Sequence, residues 1–490
     1  ESGMANHKKP EVDVLIIGAG LSGVGAACHL QRECPQKTFM LIERRKAIGG
    51  TWDLFRYPGI RSDSDMFSFG YGFRPWNEFK VLADGASIRD YIRNTSDTFE
   101  ITPHIRFGRK TLNADWSAEQ QCWTVSMVNE DNGEDETVTA RFLIGCTGYY
   151  NYDKGYLPDF PGQERFAGQC IHPQQWPEGL DYAGKKVVVI GSGATAVTLV
   201  PAMAGEAAHV TMLQRSPSYI FSLPSQDKLS EWLEKFLPPD WVFGLARWRN
   251  IKLQRLLYRA AKRYPNPVRR VLLGNVKRQL KGQVDMAHFS PRYMPWDERL
   301  CAVPDGDLFN ALREGKASVV TDQIETFTET GIQLQSGRQL EADIIVTATG
   351  LNLQVLGGMT LSLDGAPADV SERLTYKGVL LEGMPNMAWI FGYTNASWTL
   401  KADIASAYVC RLLNHMELEG HGVAVPNADD TLKRDDTSIM DALASGYVKR
   451  SSHKLPRQGR HHPWKVMNHY ARDRHMLLEE PVEDGALHFY

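Results

Sequence analysis

The stretch VDVLIIGAGLSG, residues 12–23, decides the fold of the first part of the chain. Its first six residues are a nearly continuous apolar run, interrupted only by Asp13 and rich in β-branched side chains, which is typical of a strand buried on both faces of a parallel sheet. Gly18, Gly20 and Gly23 follow with the spacing GxGxxG, and a helix-like segment comes next. Gly18 permits a tight turn, Gly20 lets the backbone approach a pyrophosphate, and Gly23 lets the helix pack closely on the strand. The stretch predicts a dinucleotide-binding βαβ unit.

An acidic residue completes this first unit. A second apolar run, FMLI at 39–42, predicts the next strand, and Glu43 follows it 20 residues after Gly23. A carboxylate at this position accepts hydrogen bonds from a ribose and repels a 2′-phosphate. We therefore expect a dinucleotide with a free ribose here, and the alternative is a glycine-rich turn that binds no ligand.

A second unit of the same kind begins at residue 186, where KVVVI leads into GSGATA. Its candidate binding residues are Gly191, Ser192, Gly193, Ala194 and Thr195. Alanine replaces the third glycine, which this fingerprint allows. Arg215 and Ser216 follow the next strand, in the neighbourhood where the first unit has its acid. Because a guanidinium binds a 2′-phosphate with two charge-assisted hydrogen bonds, the second site is predicted to prefer NADP over NAD. The alternative is that Arg215 is a solvated surface charge.

Composition narrows the classes of protein. The chain has 490 residues, 43% of them hydrophobic, and its 55 basic and 58 acidic residues leave a net charge of −3. These values are ordinary for a folded globular protein and argue against a dedicated nucleic-acid binder. No apolar run approaches the 18 residues of a membrane span. The seven cysteines are scattered without a CxxC pair, which argues against a disulfide framework, and no metal site is predicted.

Two nucleotide sites of unlike polarity imply two dinucleotides, with FAD at the first site and NADPH at the second. Flavin monooxygenases, disulfide reductases and related oxidoreductases use this pair of cofactors. A disulfide reductase needs a redox-active cysteine pair beside the flavin. Cys28 and Cys34 are too far apart for that motif, and Cys28 lies within the first predicted helix. We therefore disfavour the reductase class.

Two longer patterns favour one branch of the monooxygenases. Residues 166–177 read FxGxxxHxxxWP, and residues 49–63 read GGxWxxxxYPGxxxD. Both resemble the signatures of type I Baeyer–Villiger monooxygenases, a branch of the class B flavin monooxygenases. The resemblance covers nearly the whole chain and is closest to the ethionamide-activating subgroup, through residues 49–65, 148–152 and 392–403. The signature residues of the first pattern are Phe166, Gly168, His172 and Trp176. We interpret His172 as a hinge or structural residue rather than a proton-transfer group.

The resemblance implies a defined activity. Enzymes of this family reduce FAD with NADPH and form a peroxyflavin with dioxygen. The peroxyflavin inserts one oxygen atom into ketones to give esters or lactones, with sulfoxidation of sulfides or thioamides as a side activity. The expected partners are a small, hydrophobic ketone or sulfide and dioxygen. One alternative is an N- or S-oxygenating flavin-containing monooxygenase. Another is a membrane-docking flavoprotein that oxidises NADPH slowly.

An anionic oxygen adduct in a dry pocket needs a fixed positive charge beside it. The family places its active-site arginine after a Pro-x-x-x-Arg-Leu stretch, which residues 295–300 match, so Arg299 is the candidate. In relatives the acid at the position of Asp63 orients this arginine. The alternative for Arg299 is a local ion pair with Asp297 or Glu298. The predicted flavin site also includes Thr51, Trp52, Asp53, Arg61, Asp63 and Thr111. Trp398 is either a pocket residue or a core residue.

These motifs predict an α/β fold with two Rossmann-like dinucleotide-binding domains, for FAD and for NADP, and a helical insertion. The first part of the FAD domain is expected at 4–150, the NADP domain at 151–349, and the remaining FAD domain with a C-terminal segment at 350–490. The insertion is expected at about 225–290. Residues 231–281 of it carry 13 Lys and Arg against three acids, interleaved with aromatic and aliphatic residues. This pattern predicts amphipathic helices that are either a cap on the core or a membrane-surface patch. The protein is expected to be cytoplasmic, with peripheral membrane contact as the variant.

Overall fold

Two sheets organise the chain, and each contains a strand that leads into one of the glycine motifs. The computed structural model describes residues 8–297, 300–393, 396–428, 434–439 and 452–490. Within these ranges no helix combines the length and the apolar character needed to cross a membrane. Each sheet carries buried apolar residues on both of its faces.

The first sheet combines a parallel part with an antiparallel part. Its strands are β1 (Val12–Ile17), β2 (Phe39–Ile42), β3 (Ile105–Arg106), β4 (Arg109–Ser117), β5 (Cys122–Asn129), β6 (Asp135–Gly145), β17 (Thr360–Leu363), β18 (Ala366–Ala368), β19 (Thr375–Tyr376), β20 (Leu380–Leu381) and β21 (Met387–Trp389). The main path runs β18-β17-β4-β5-β6-β1-β2-β3. The parallel part, β6-β1-β2-β3, presents the carboxyl ends of its strands at one edge.

Strand β6 joins distant parts of the chain. Its first half pairs antiparallel with β5. On the same edge, Leu143–Gly145 pair parallel with β21, while the other edge of β6 pairs with β1. The chain therefore returns to its first sheet after residue 359, and the strands of the second sheet lie between these two parts in the sequence.

The second sheet is entirely parallel, with the order β12-β9-β8-β16-β7. Its strands are β7 (Gln169–Ile171), β8 (Lys186–Ile190), β9 (His209–Gln214), β12 (Ala317–Thr321) and β16 (Ile344–Thr347). The smaller sheets contain β10 (Ile220–Leu223) with β11 (Cys301–Pro304), β13 (Ile324–Phe327) with β14 (Gly331–Leu334) and β15 (Gln339–Glu341), β22 (Ala424–Pro426) with β25 (Leu487–Phe489), and β23 (Arg434–Ser438) with β24 (Arg457–Gly459).

Helices pack on these sheets and between them. They are α1 (Leu21–Glu33), α2 (Thr51–Leu54), α3 (Met66–Phe69), α4 (Gly85–Thr98), α5 (Ala194–Ala204), α6 (Lys228–Glu234), α7 (Pro239–Arg263), α8 (Pro265–Leu280), α9 (Asp307–Arg313), α10 (Trp398–Glu419) and α11 (Tyr470–Leu478). Helix α10 packs on α1, and α5 packs on α9. The basic stretch forms α6, α7 and α8, so the prediction of helices there is confirmed.

The FxGxxxHxxxWP signature lies where the chain passes between the sheets. The Nε2 atom of His172 is 3.2 Å from the carbonyl oxygen of Gly350, and its Nδ1 atom accepts a hydrogen bond from the Gln174 amide. Burial lowers the pKa of His172. A Cβ atom on Gly155 would lie 2.0 Å from the imidazole. The ring therefore links both connecting segments, the one before β7 and the one after β16, which suits a structural role.

The other signature residues pack around this junction. Phe166 meets Phe327 edge to face. A Cβ atom on Gly168 would lie 2.2 Å from the carbonyl oxygen of Asp343, so glycine allows the close approach. Trp176 packs against the core that α5 shares with the second sheet. The signature as a whole stabilises the connection between the sheets.

Candidate functional site

Residues of both glycine motifs line one cavity of about 990 Å³. Its lining includes Gly18 and Gly20 after β1, and Gly191 and Gly193 after β8. In parallel α/β sheets, ligands bind outside the carboxyl ends of the strands. Two such ends facing one cavity would bring two bound dinucleotides together.

At the first motif, the turn from strand to helix leaves no room for side chains. Gly18 has a φ of +111°, and a Cβ atom there would lie 2.2 Å from the carbonyl oxygen of Cys146. A Cβ atom on Gly23 would lie 1.9 Å from the carbonyl oxygen of Gly18, so Gly23 serves helix packing and does not line the cavity. Gly20 caps α1 without a side-chain hydrogen bond, which leaves the first amides of the helix for an anion.

Glu43 lines the cavity at the end of β2 and is buried. Burial raises the pKa of its carboxyl to about 7, although the backbone amides of Ala19, Arg44 and Arg45 donate hydrogen bonds that oppose this shift. A buried acceptor with spare hydrogen-bonding capacity suits the hydroxyl groups of a ribose.

Some residues of the GGxW segment line the cavity, whereas Asp53, the residue that follows it, is buried in the protein interior. Thr51 and Trp52 line the cavity, and the Thr51 hydroxyl is 3.1 Å from the hydroxyl of Tyr152. Asp53, predicted as a cofactor residue, does not line it. Its buried carboxylate pairs instead with Arg45 at 2.8 Å, Arg56 at 3.0 Å and Arg93 at 2.8 Å. Asp53 therefore fixes the short helix α2, which also carries Thr51 and Trp52.

The second motif has the same tight turn as the first, and the space around its second glycine, Gly193, is more open. Gly191 has a φ of +138°, and a Cβ atom there would lie 2.2 Å from the carbonyl oxygen of Ala348. Around Gly193, apart from its own and the adjacent residues, no atom of the described residues lies within 4 Å of such a Cβ position. The remaining residues of this motif that line the cavity are Ser192, Ala194 and Thr195. Ser192 is 3.1 Å from Ser218, oxygen to oxygen, and helix α5 begins at Ala194 without a side-chain cap. Open backbone at a helix N-terminus is suited to a pyrophosphate.

Arg215 and Ser216 also line the cavity, directly after β9. Both are exposed. The cationic Arg215 thus occupies the place that the buried Glu43 has in the first unit, as the sequence predicts. The two units therefore differ in both charge and burial at this position.

The remaining predicted flavin residues, Arg61, Asp63 and Thr111, line the same cavity. The Nη1 atom of Arg61 donates to Asp307 at 2.6 Å, yet burial still raises the pKa of that carboxyl. The Nη2 atom of Arg61 and the hydroxyl of Thr147 are buried and have no hydrogen-bond partner among the described residues. Such groups are costly unless a ligand satisfies them, so these two mark hydrogen-bonding positions of the cavity.

Asp63 lies beside the predicted active-site segment. It also lines a second, small cavity together with Leu300, Cys301 and Ala302. Arg299 itself lies outside the residues that the structure describes, and its role stays a prediction.

An aromatic wall closes part of the cavity. Tyr149 stacks on Trp398 with ring centres 5.3 Å apart, and Phe391 packs at 5.0 Å from Trp398. Trp398 lines the cavity, and its indole nitrogen donates to Ser22 at 2.8 Å. The sequence-based assignments omit Tyr149 and Tyr152, which both line the cavity. Their signal was their place in residues 148–152, one of the segments that carry the family resemblance.

Comparison with known proteins agrees with this geometry. The model of the flavin-binding monooxygenase-like family matches residues 11–356. An FAD-containing monooxygenase of Mycobacterium tuberculosis, MymA, is 64% identical over 97% of both chains. The FAD-binding monooxygenase AlmA of Acinetobacter baylyi is 54% identical over 98% of this chain and 96% of its own. The FAD-containing monooxygenase EthA of Mycobacterium tuberculosis is 50% identical over 98% of this chain and 97% of its own.

Solved structures share the fold. A complex of OTEMO with FAD and NADP superposes with a TM-score of 0.70 at 22% identity, over 86% of this chain and 87% of that one. Open cyclohexanone monooxygenase superposes with a TM-score of 0.70 at 20% identity, over 85% and 90%. The predicted α/β fold with two dinucleotide-binding domains is confirmed.

Replacing Gly193 by alanine separates ligand binding from folding. The added methyl group meets no described protein atom, and the φ of −82° suits alanine, so we expect an unchanged melting temperature. The methyl group occupies the space predicted for a pyrophosphate, so NADP⁺ binding should weaken at least about tenfold. Isothermal titration with NADP⁺ measures this effect. Gly205→Ala, at another uncrowded glycine, is the matched control, and equal binding by both variants would contradict the site.

The pKa of Glu43 predicts how FAD binding depends on pH. Ribose hydroxyls donate better to a carboxylate than to a carboxylic acid, so FAD should displace the proton that Glu43 holds below pH 7. Fluorescence titration of the deflavinated protein should give about tenfold tighter FAD binding at pH 8 than at pH 6. Without FAD, this shift lowers the free energy of unfolding as pH rises from 4.5 to about 7, because the folded state holds the proton more tightly.

Glu43→Gln should bind FAD more weakly and with no such pH dependence. Glu134→Gln, at an exposed turn, should retain the dependence of the unmodified protein. If Glu43→Gln keeps the full pH dependence, another group titrates and the ribose assignment fails.

Proposed function

The chain belongs to the flavin-binding monooxygenase-like family, and from this premise we propose that it is a Baeyer–Villiger monooxygenase that uses FAD and NADPH to insert one oxygen atom of dioxygen into hydrophobic ketones. One observation carries the proposal: two dinucleotide motifs of opposite polarity face a single cavity with an aromatic wall. Family membership confirms the sequence-based identification of a flavin monooxygenase.

FAD suits the first motif. The glycine turn and the open N-terminus of α1 would hold its pyrophosphate, Glu43 its ribose, and Thr51 and Trp52 the segment nearer the flavin ring. The unpartnered hydroxyl of Thr147 lies on the same cavity and supports a polar ligand there.

NADPH suits the second motif. The open backbone at Gly193 and the N-terminus of α5 would hold its pyrophosphate, and Arg215 with Ser216 would hold its 2′-phosphate. When both are bound, NADPH supplies electrons and the reduced flavin supplies the activation of dioxygen. The protein contributes positioning, charge and exclusion of water.

The region between the motifs supports an apolar substrate. Phe55, Tyr57 and Ile60 line the cavity, and Tyr149 and Trp398 form its aromatic wall. An apolar lining of this kind is suited to hydrophobic ketones or sulfides.

Arg299 is proposed to stabilise the negative charge that develops during oxygen transfer, because a guanidinium keeps its proton. The position of Asp63 supports this role, since it shares the small cavity with Leu300, the next residue after Arg299. N- or S-oxygenation without ketone chemistry is the second candidate, and sulfoxidation is expected as a side activity.

Arg215→Ala should raise the KM for NADPH by about 10- to 100-fold, because charge-assisted hydrogen bonds to the 2′-phosphate are lost. The KM for NADH should hardly change. Steady-state kinetics with both cofactors measure the two values, and Arg338→Ala, at an exposed position of the same domain, is the control. Equal increases in the KM values for NADPH and NADH would show that Arg215 does not bind the 2′-phosphate.

A product screen tests the oxygen insertion itself. Short, cyclic and long-chain ketones and aryl sulfides are incubated with the holoenzyme and NADPH, and esters, lactones and sulfoxides are identified by mass spectrometry. We expect ester formation coupled to NADPH oxidation. Sulfoxides without esters would favour the second candidate, and slow NADPH oxidation without any product would contradict oxygen transfer.

Arg299→Ala should retain FAD but lose at least about 100-fold in ketone conversion, as expected when a preorganised positive charge is removed. Arg292→Ala, an exposed arginine of the same segment, should convert ketones normally. Undiminished conversion by Arg299→Ala would assign the charge to another residue.

A further inference from the structure

Exposed apolar side chains are concentrated on one part of the molecule. Of the 15 large apolar side chains that are exposed in the described residues, 11 lie between Leu229 and Val271, nine of them on α6, α7 and α8 and two, Phe236 and Tyr264, in the connections between these helices. Single exposed apolar residues are ordinary on protein surfaces, but a contiguous group marks an interaction site. Below, "docking face" means the exposed side chains of these three helices.

Helix α7 is apolar on two opposite sides. Val242, Phe243 and Ala246 are buried, and Phe243 packs on Phe67 and Phe79. This inward side accounts for the attachment of the helix to the protein. The opposite side is exposed, with exposed fractions of 66% for Trp241, 62% for Trp248 and 63% for Leu256. These three residues recur at helical spacing, so they form one stripe along the helix.

Positive charge surrounds this stripe. Residues 231–281 carry 13 Lys and Arg against three acids, whereas the whole chain has a net charge of −3. Arg247 and Arg249 are used inward, on the carbonyl oxygen of Gly70 and on Asp227. Others are exposed beside the apolar residues, namely Lys252, Arg259, Arg263, Arg270, Lys277 and Arg278.

The chemistry of the docking face identifies its partner. A second copy of the chain would bring the same positive charge to the contact, which is unfavourable. The face lies on long helices, α7 alone being about 37 Å long, and contributes no residue to the large cavity. Tryptophan and leucine flanked by lysine and arginine are the combination that inserts into the interfacial layer of anionic membranes. We propose that the docking face binds the surface of a bilayer containing anionic lipid, with α7 lying in the plane of the interface.

The same helices brace a segment at the cavity. Arg269 of α8 donates to the Tyr219 hydroxyl at 3.0 Å and to the carbonyl oxygen of Pro291 at 2.8 Å, and Tyr293 lines the cavity. Docking would hold this side of the protein against the lipid. A consequence, which rests on the proposed function, is that ketones dissolved in the membrane are the favoured substrates.

Vesicle co-sedimentation of the holoenzyme tests the docking directly, without any substrate. Vesicles of phosphatidylcholine with phosphatidylglycerol should bind the protein at low ionic strength, and vesicles of phosphatidylcholine alone should bind it much less. Binding should weaken steeply toward about 1 M salt, where the screening length is roughly 3 Å. Absence of binding to the anionic vesicles at low salt overturns the proposal.

Two variants divide the interaction into its parts. Trp241→Ser/Trp248→Ser/Leu256→Ser removes the stripe, and Lys252→Glu/Arg263→Glu/Arg270→Glu reverses charge beside it. The charge-reversal variant should weaken binding at least about tenfold, since one basic side chain near an anionic surface contributes about fivefold. The serine variant should also weaken binding at least about tenfold, because it removes the apolar side chains that would be buried in the interface. Leu418→Ser, at an 82% exposed leucine of α10, is the matched control and should bind like the unmodified protein.

Retained FAD and normal NADPH oxidation with a short, water-soluble ketone show that the variants are folded, and they separate loss of docking from loss of catalysis. Vesicle binding by the serine variant equal to that of the unmodified protein would contradict the proposal. A smaller oligomer of that variant in light scattering, without lipid binding by the unmodified protein, would instead make the face a contact between copies.

Discussion

The structure depends on two places where a parallel strand turns directly into a helix with no space for a Cβ atom. At Gly18 and Gly191 that atom would lie 2.2 Å from a backbone oxygen of a neighbouring strand end, and both residues have positive φ values. Only glycine satisfies both conditions without strain. The helices can then begin directly above the sheets, with their free amides directed to the same cavity. Cofactor binding and sheet packing are thus consequences of one steric constraint.

The order of the chain explains how two such units come to share a cavity. The segment before β7 and the segment after β16 both cross between the sheets, and His172 links them through Gly155 and Gly350. Because β21 pairs with β6, the first sheet includes strands that follow the whole second sheet in the sequence. The second unit is therefore an insertion held at both ends, which fixes the relation of the two glycine motifs better than a single linker would.

Local patterns in the sequence predict the local chemistry well. The glycine spacing places both strand-to-helix turns, and Glu43 and Arg215 both lie on the cavity as predicted. Asp53 shows where such patterns stop being informative, because three arginines from separate positions, Arg45, Arg56 and Arg93, converge on it only in the folded chain. For Trp398, helical spacing could not separate core from cavity, since the residue packs on an aromatic cluster and faces the cavity at once.

The two residues that we propose to bind the cofactor riboses, Glu43 and Arg215, differ in burial. Glu43 is buried, so its charged form is costly until a ligand donates hydrogen bonds to it, and that cost is recovered only while the ligand remains. Arg215 is exposed and stays solvated when no ligand is present, so release of its partner leaves no buried charge. With the proposed assignments, this difference in burial predicts a tightly held flavin at the first site and an exchanging nicotinamide at the second.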